Sequence, residues 1–404
     1  MEKLAVLIVT RFSDRRLDFS EVRKEILDKM VLVTNKNVFD NHQRNFDYII
    51  VSNQYSNDYS VEMKIHELNE KFNFTKLICF EETDILRAAI IRDRLGIEGL
   101  NYETSLLYRD KYLMKKKVSE SGIKCPNFRP IENTFDLLDF VKDNGYPIFL
   151  KPRSEMIGIG TKQINNSKEL ESWLRNNSPT NYLAEEFIDA PVYHTNGIFN
   201  KGEIHCFSVF QYINSIRTAF DDGVGDMIIS ENSKLGIKLK EYTEKILNIL
   251  SPNSSFVFHL EVFIKEGQIY FCEIACRPAG ALVPRLIKMS HGVDILKEHL
   301  RVQVIQDYKP KLSKKIITDN YIAGYIILKK NGKLRKNCDE IPYEFIKYQR
   351  NYCKEGTTYY PNNVGDRHIE VIITANTQKE LYERINLVKD FVKHNSDWVL
   401  EHTT

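Results

Sequence analysis

Hydrophobic positions over residues 1–102 alternate between two periods. Short apolar runs at 4–10, 30–34, 48–52 and 77–80 predict strands, and helical spacing over 19–28, 61–72 and 83–95 predicts the helices between them. That order predicts a parallel, doubly wound α/β layer. The pattern then changes. Residues 103–122 predict one amphipathic helix, closed by Gly122 and followed by Pro126. A short strand at 147–151 ends in Lys151, and a further strand at 182–188 ends in carboxylates.

The strongest two-residue alternation lies at 256–280, where two runs rich in β-branched and aromatic residues flank Lys265-Glu266-Gly267-Gln268 and predict a hairpin. In the first run Phe256, Phe258, Leu260, Val262 and Ile264 share one face and leave His259 and Glu261 on the other. In the second, Glu273 and Arg277 share a face. If the turn sets Lys265 against Ile269, Glu261 stands directly across from Glu273, with roughly 5 Å between their Cβ atoms. Beyond 311 the pattern predicts a strand at 321–328, a turn at Gly332, a strand at 368–374 and a helix at 378–391, a small antiparallel unit.

Composition narrows the classes. With 404 residues, 42% hydrophobic and 28% charged, the chain has ample core for two to four domains. A net charge of +2 gives no reason to expect nucleic acid or a membrane surface as partner. No apolar run reaches the roughly 20 residues that span a bilayer, and the first ten residues lead into polar sequence without a cleavage site, so a cytoplasmic protein is expected. Seven scattered cysteines suggest neither a disulfide framework nor a zinc site, and Cys272 and Cys276 are expected to pack as small apolar residues.

Three places carry candidate chemistry. Two carboxylates as close as Glu261 and Glu273 repel unless one is protonated or a cation lies between them, and hard oxygen ligands on a rigid sheet suit Mg²⁺. The alternative is an edge hairpin with two solvated glutamates. After Lys151, the loop 153–161 has glycines at 158 and 160, whose backbone N–H groups can wrap polyphosphate, or which simply form a β-turn. The strand exit at Glu185, Glu186, Phe187 and Ile188 can offer a backbone donor and acceptor to an adenine edge, or be a charged surface end. The run Lys115-Lys116-Lys117 reads as a solvated face, and the first strand enters Arg11-Phe12-Ser13 with no dinucleotide fingerprint. The amino-terminal layer is then a support or part of a substrate wall.

The order of these features resembles the ATP-grasp superfamily of ADP-forming carboxylate-amine ligases, in its L-amino-acid ligase and biotin-carboxylase-like branch. Asp110-Lys111-Tyr-Leu-Met114 is similar to its Asp-Lys-x-x-Met helix, and Gly122-Ile-Lys-Cys-Pro126 to the Gly-Ile-x-x-Pro that follows. Tyr146 to Lys151 resembles the central-domain strand, and Glu273-Ile-Ala-Cys-Arg-Pro-Ala-Gly280 the metal-binding Glu-Ile-x-x-Arg-x-x-Gly. The likeness runs from about residue 76 to 300.

The resemblance implies a mixed α/β and α+β chain with the ATP-grasp fold. It would comprise an amino-terminal doubly wound α/β domain (1–102), a small subdomain with the glycine loop (103–185), a large subdomain with the metal site (186–310) and a carboxy-terminal antiparallel lid subdomain (311–404). It implies ATP and Mg²⁺ as cofactors. Lys111 and Lys151 would hold the phosphates under Gly158 and Gly160, and Glu185 with the backbone of Glu186, Phe187 and Ile188 would line the adenosine pocket. Glu261 and Glu273 would bind Mg²⁺, with Glu273 bridging two ions, and Arg277 would meet the carboxylate being activated; Arg277 and Lys151 are the expected catalytic residues.

The expected reaction forms an acyl phosphate, which an amine then attacks. Small-molecule acid and amine are the expected partners, and the family implies a homodimer. Loading of an amino acid onto a carrier-protein thiol, with Lys314-Lys315 or 329–336 as docking patch, and a nucleotide-binding role without catalysis stay open. Specificity is expected in the loop 214–230, with Arg217, Asp221 and Asp222. The chain departs from the family at Val192, where a ribose-binding carboxylate is usual, at Asn196 for an Asp, and at Ala275, where an Asn helps a second Mg²⁺. His194 keeps a Tyr-His pair, and a structural role is expected for it.

Overall fold

The structure, a computed structural model, describes residues 5–13, 16–26, 28–52, 54–156, 158–214, 222–310, 321–361 and 365–399. Its first sheet is β3-β2-β1-β4, built from β1 (Ala5–Val9), β2 (Lys29–Asn35), β3 (Tyr48–Ser52) and β4 (Phe74–Cys79), all parallel. Strand alternation sends Ala5, Leu7 and Val9 to one core and Val6 and Ile8 to the other. Helices Ser60–Phe72 and Ile85–Leu95 cover the first face. Phe19 and Val22 from helix Phe19–Glu25 cover the second, together with Leu296 and Leu300 from helix Ile295–Val304. A late segment of the chain thus clamps this sheet to the rest.

The expected single helix over 103–122 is two, Tyr102–Leu106 and Lys111–Glu120. Asp110 stands between them in extended conformation and accepts hydrogen bonds from the Tyr112 and Leu113 amides, the geometry of an N-cap. A small antiparallel sheet, β5-β8-β6-β7, follows, from β5 (Phe128–Ile131), β6 (Ile148–Pro152), β7 (Lys162–Ile164) and β8 (Tyr182–Glu186). Helices Thr134–Asn144 and Ser167–Asn176 cover it through Leu137, Phe140, Leu170 and Trp173.

The third sheet has eight antiparallel strands in the order β13-β12-β9-β10-β11-β14-β18-β16. They are β9 (Val192–Asn200), β10 (Glu203–Tyr212), β11 (Val224–Ile229), β12 (Ser255–Lys265), β13 (Gln268–Ala275), β14 (Tyr321–Leu328), β16 (Ile346–Asn351) and β18 (Arg367–Ala375). The carboxy-terminal strands extend the sheet that holds the central hairpin, because β11 pairs with β14. β15 (Gly332–Lys336), β17 (Thr358–Tyr359) and β19 (Asp397–Val399) form a separate three-stranded sheet.

The central hairpin differs from expectation at its turn. Lys265 pairs with Gln268, so the loop holds only Glu266 and Gly267, both with positive φ (51° and 76°), as tight hairpin loops require. A register shift between Glu261 and Val262, with Cys272 as the extra residue, then restores the frame. Glu261 pairs with Glu273 after all. Among the described residues no helix is long and apolar enough to cross a membrane. Arg217, Asp221, Lys314 and Lys315 lie outside the described residues.

Candidate active site

Helix Lys111–Glu120 turns one face toward β13. Residues 111, 114, 115 and 118 follow helical spacing, and all four are buried. At the head of the helix, Lys111 Nζ lies 3.6 Å from Glu273 Oε2 and donates to the Glu155 carbonyl at 2.6 Å. The loop after β6 is tied to the same point, since Arg153 pairs with Asp110 (Nε to Oδ1 3.1 Å, Nη2 to Oδ2 2.5 Å). Asp110 therefore serves as cap and anchor.

One turn on, Lys115 corrects the solvated-face expectation. Lys116 and Lys117 are exposed, but Lys115 is 0% exposed and sits 3.3 Å from Glu185 Oε1. Lys151 reaches the same oxygen at 2.8 Å, and Lys115 donates to the Phe271 carbonyl at 3.0 Å. Burial raises the Glu185 carboxyl, but the Lys115 and Lys151 charges outweigh it and bring it below its ordinary value. Burial likewise works against the Lys151 ammonium, and Glu185 overrides it upward.

At the strand exit, the Glu186 and Phe187 amides donate to the Asn127 and Pro147 carbonyls. Among the described residues the Ile188 N–H has no partner. Gly158 and Gly160 lie in the loop between β6 and β7, with φ of 70° and 71°. A Cβ on Gly160 would meet Pro152 Cγ at 2.8 Å and the Tyr182 hydroxyl at 3.1 Å.

At the opposite end of the hairpin Arg277 is already engaged with a carboxylate. Glu82, in the turn after β4, accepts from its Nε at 3.1 Å and Nη2 at 2.5 Å, and takes Arg109 Nη1 at 2.5 Å on its other oxygen. Burial raises Glu82, yet Arg277 and Arg109 hold it at about 2. Glu82, Lys111, His259, Glu273, Ala275 and Arg277 line one narrow cavity. A larger hollow of about 410 Å³ beside Asn127, Arg129 and Phe140 contains none of these groups.

Glu261, across from Glu273, is held by the Tyr212 hydroxyl and His259. Burial raises its carboxyl, and the hydrogen bonds of His259 and Tyr212 bring it down. The structure thus gathers Lys111, Glu261, Glu273 and Arg277 at one end, and Lys151 and Glu185 at the other. Glu82, Arg109, Lys115 and Tyr212 join them without having been singled out. Lys115 was within reach of the pattern, because it occupies the i+4 position behind Lys111 on the apolar face. Glu82 had the weaker signal of standing at the carboxyl end of a parallel strand, where ligands gather in α/β sheets.

The family model for the ATP-grasp domain matches residues 116–281. Over those residues the chain is similar to an ATP-grasp domain. It is 24% identical over 275 residues to an L-arginine-specific L-amino acid ligase of Bacillus subtilis, covering 65% of each chain. It is 26% identical over 226 residues to the N5-carboxyaminoimidazole ribonucleotide synthase of Staphylococcus haemolyticus, covering 54% of this chain and 58% of that one. The chain thus matches less than two thirds of the length of these relatives.

Among solved structures, an L-amino acid ligase from Bacillus licheniformis superposes with a TM-score of 0.78 at 16% identity over 100% of both chains. A carboxyaminoimidazole ribonucleotide synthase from Aspergillus clavatus, complexed with ATP, superposes with a TM-score of 0.72 at 15% identity over 98% of this chain and 100% of that one. At these identities the likeness establishes the ATP-grasp fold, α/β with an antiparallel sheet, as expected from the motifs.

Proposed function

We propose that this chain is an ATP-dependent, ADP-forming ligase that phosphorylates a small carboxylic acid, in the first instance an amino acid, and joins it to an amine. The observation that carries this reading is the single cavity onto which Lys111, Glu273 and Arg277 open, with Glu261 facing Glu273 from the next strand. Phosphoryl transfer to a carboxylate brings two anions together, and a site with fixed cations at both ends and a carboxylate pair between them answers that need. The likeness to two proteins named as L-amino acid ligases supports the substrate class.

In this reading Lys151 and Lys115 hold one end of the triphosphate and Lys111 the other, under the loop with Gly158 and Gly160. The Ile188 N–H and Glu185 face adenosine. Glu261 and Glu273 fit Mg²⁺, a hard cation that uses one or two carboxylates and takes its remaining ligands from phosphate and water. Bound there, Mg²⁺ supplies charge neutralisation for the transferred phosphoryl group. Arg277 exchanges Glu82 for the carboxylate of the acid. The acyl phosphate hydrolyses in water, so the site must be closed when the amine attacks.

The test is release of ADP and phosphate with Mg-ATP, screening the twenty amino acids alone and in pairs. Release that depends on one acid and rises with a second amine is expected. ATP binding with no release under any pair would overturn the ligase reading.

A further inference from the structure

Behind Glu261 runs a row of polar side chains that the roles above leave unused. Asp226 Oδ1 lies 3.0 Å from His194 Nε2, and His194 Nδ1 lies 2.9 Å from the Asn196 amide nitrogen. The Asn196 amide oxygen lies 2.9 Å from His259 Nδ1, and His259 Nε2 lies 3.2 Å from Glu261 Oε1. Tyr212 donates to that same Oε1 at 2.6 Å, with its ring against His194 at 4.7 Å between centroids. These residues come from β11, β9, β12 and β10, adjacent strands of one sheet.

His194, Asn196, Asp226 and His259 are buried, where polar groups are costly unless they bond to one another, and each lies within hydrogen-bond distance of the next. The row has one open end. The Tyr212 hydroxyl donates to Oε1 of Glu261 and His259 Nε2 lies against the same atom, while Oε2 has no partner among the described residues.

We propose that Tyr212, His259, Asn196, His194 and Asp226 are positioning residues for the cation site: they hold Oε1 of Glu261 and leave Oε2 free for the cation, beside the cross-strand partner Glu273. His259 is a positioner and no ligand, since both its ring nitrogens are engaged within the protein. Ala275, paired with His259 across the hairpin, offers no side-chain oxygen, which leaves the placement of Glu261 more important. Outer partners of this kind orient metal ligands, and losing one lowers metal affinity about 10- to 100-fold. The inference rests on the reading of Glu261 and Glu273 as the cation ligands.

The test uses Mn²⁺ as probe, following free Mn²⁺ by its EPR signal while the full chain, saturated with ADP, is titrated. Tyr212→Phe is expected to weaken Mn²⁺ uptake about tenfold or more, and Asn196→Ala to do so as well. Thr195→Val is the control: it removes a buried hydrogen bond to Thr243 from the same strand but touches no member of the row. It is expected to lower the melting temperature and leave Mn²⁺ uptake unchanged. If Asn196→Ala fails to fold, Tyr212→Phe, at the edge of the row, still decides. A folded Tyr212→Phe with wild-type uptake overturns this inference alone, as does a Thr195→Val that loses uptake equally. A wild-type chain that takes up no Mn²⁺ overturns the cation site and the inference together.

Discussion

Glu82 accepts from Arg277 through two guanidinium nitrogens, Nε at 3.1 Å and Nη2 at 2.5 Å, although 195 residues separate them. The pair joins the turn after β4 to the end of the central hairpin, with both Arg277 nitrogens on Oε2 and Arg109 on Oε1 of Glu82. Glu82→Gln leaves Arg277 and Arg109 facing each other with no anion between them. Breaking such a pair is expected to cost about 3 kcal/mol in urea denaturation. If Arg277 also serves the substrate, the same variant lowers the KM for the acid, because the internal competitor is gone. A raised KM would instead make Glu82 the group that aims Arg277.

The same carboxylate predicts a pH dependence. Its folded value of about 2 lies below the ordinary 4.5, so Glu82 binds its proton more readily in the unfolded chain. Its contribution to stability is complete above about pH 4.5 and is lost as pH falls from there toward 2, some 3 kcal/mol in all. Wild type and Glu82→Gln, compared by denaturation at pH 7, 5 and 3, should therefore converge as pH falls. A gap that stays constant would remove the carboxylate charge as its cause.

What could be read from the chain and what could not divides along physical lines. The two central strands of the first sheet, β1 and β2, are legible because each holds a continuous apolar run buried on both faces. The pairing of Glu261 with Glu273 is legible from strand alternation, but only because two departures cancel: a turn one residue shorter and a bulge at Cys272, which nothing in the local sequence marks. Lys115 was hidden by its neighbours, two exposed lysines in a run of three. Its burial follows from the helical spacing of 111, 114, 115 and 118. The clamp of helix Ile295–Val304 onto the first sheet, and the bond between Glu82 and Arg277, depend on contacts between distant segments that periodicity does not encode.

Glu273 faces Glu261, receives Lys111 at 3.6 Å and lines the cavity. Glu273→Gln keeps the volume and removes the charge. Turnover measured as ADP release should be abolished, with melting temperature within a few degrees of wild type, since the side chain is about one-third exposed. A variant that keeps most of its turnover would end the proposed cation-bridging role.

Gly160 sits at φ 71°, where an added Cβ meets Pro152 and Tyr182. Gly160→Ala strains the loop over the proposed phosphate site and is expected to destabilise the chain by roughly 1 kcal/mol. The KM for ATP should rise several-fold while the KM for the acid stays put. An equal rise in both would place the effect in the fold and not in the loop.

Lys115 and Lys151 converge on one buried carboxylate, so removing Lys115 still leaves Glu185 paired with Lys151. Lys115→Met is expected to cost about 1 kcal/mol, because it leaves the buried Phe271 carbonyl without its donor while the Lys151–Glu185 pair stays matched. Lys116→Met, on the exposed side of the same helix, should change stability by no more than about 0.5 kcal/mol. ATP binding by calorimetry separates the structural role of Lys115 from a ligand role. If Lys115 touches phosphate, Lys115→Met binds ATP at least about tenfold more weakly even where added osmolyte restores the fold, and Lys116→Met binds as wild type. A folded Lys115→Met with wild-type ATP affinity would confine Lys115 to holding Glu185, and would leave Lys111 and Lys151 as the phosphate cations.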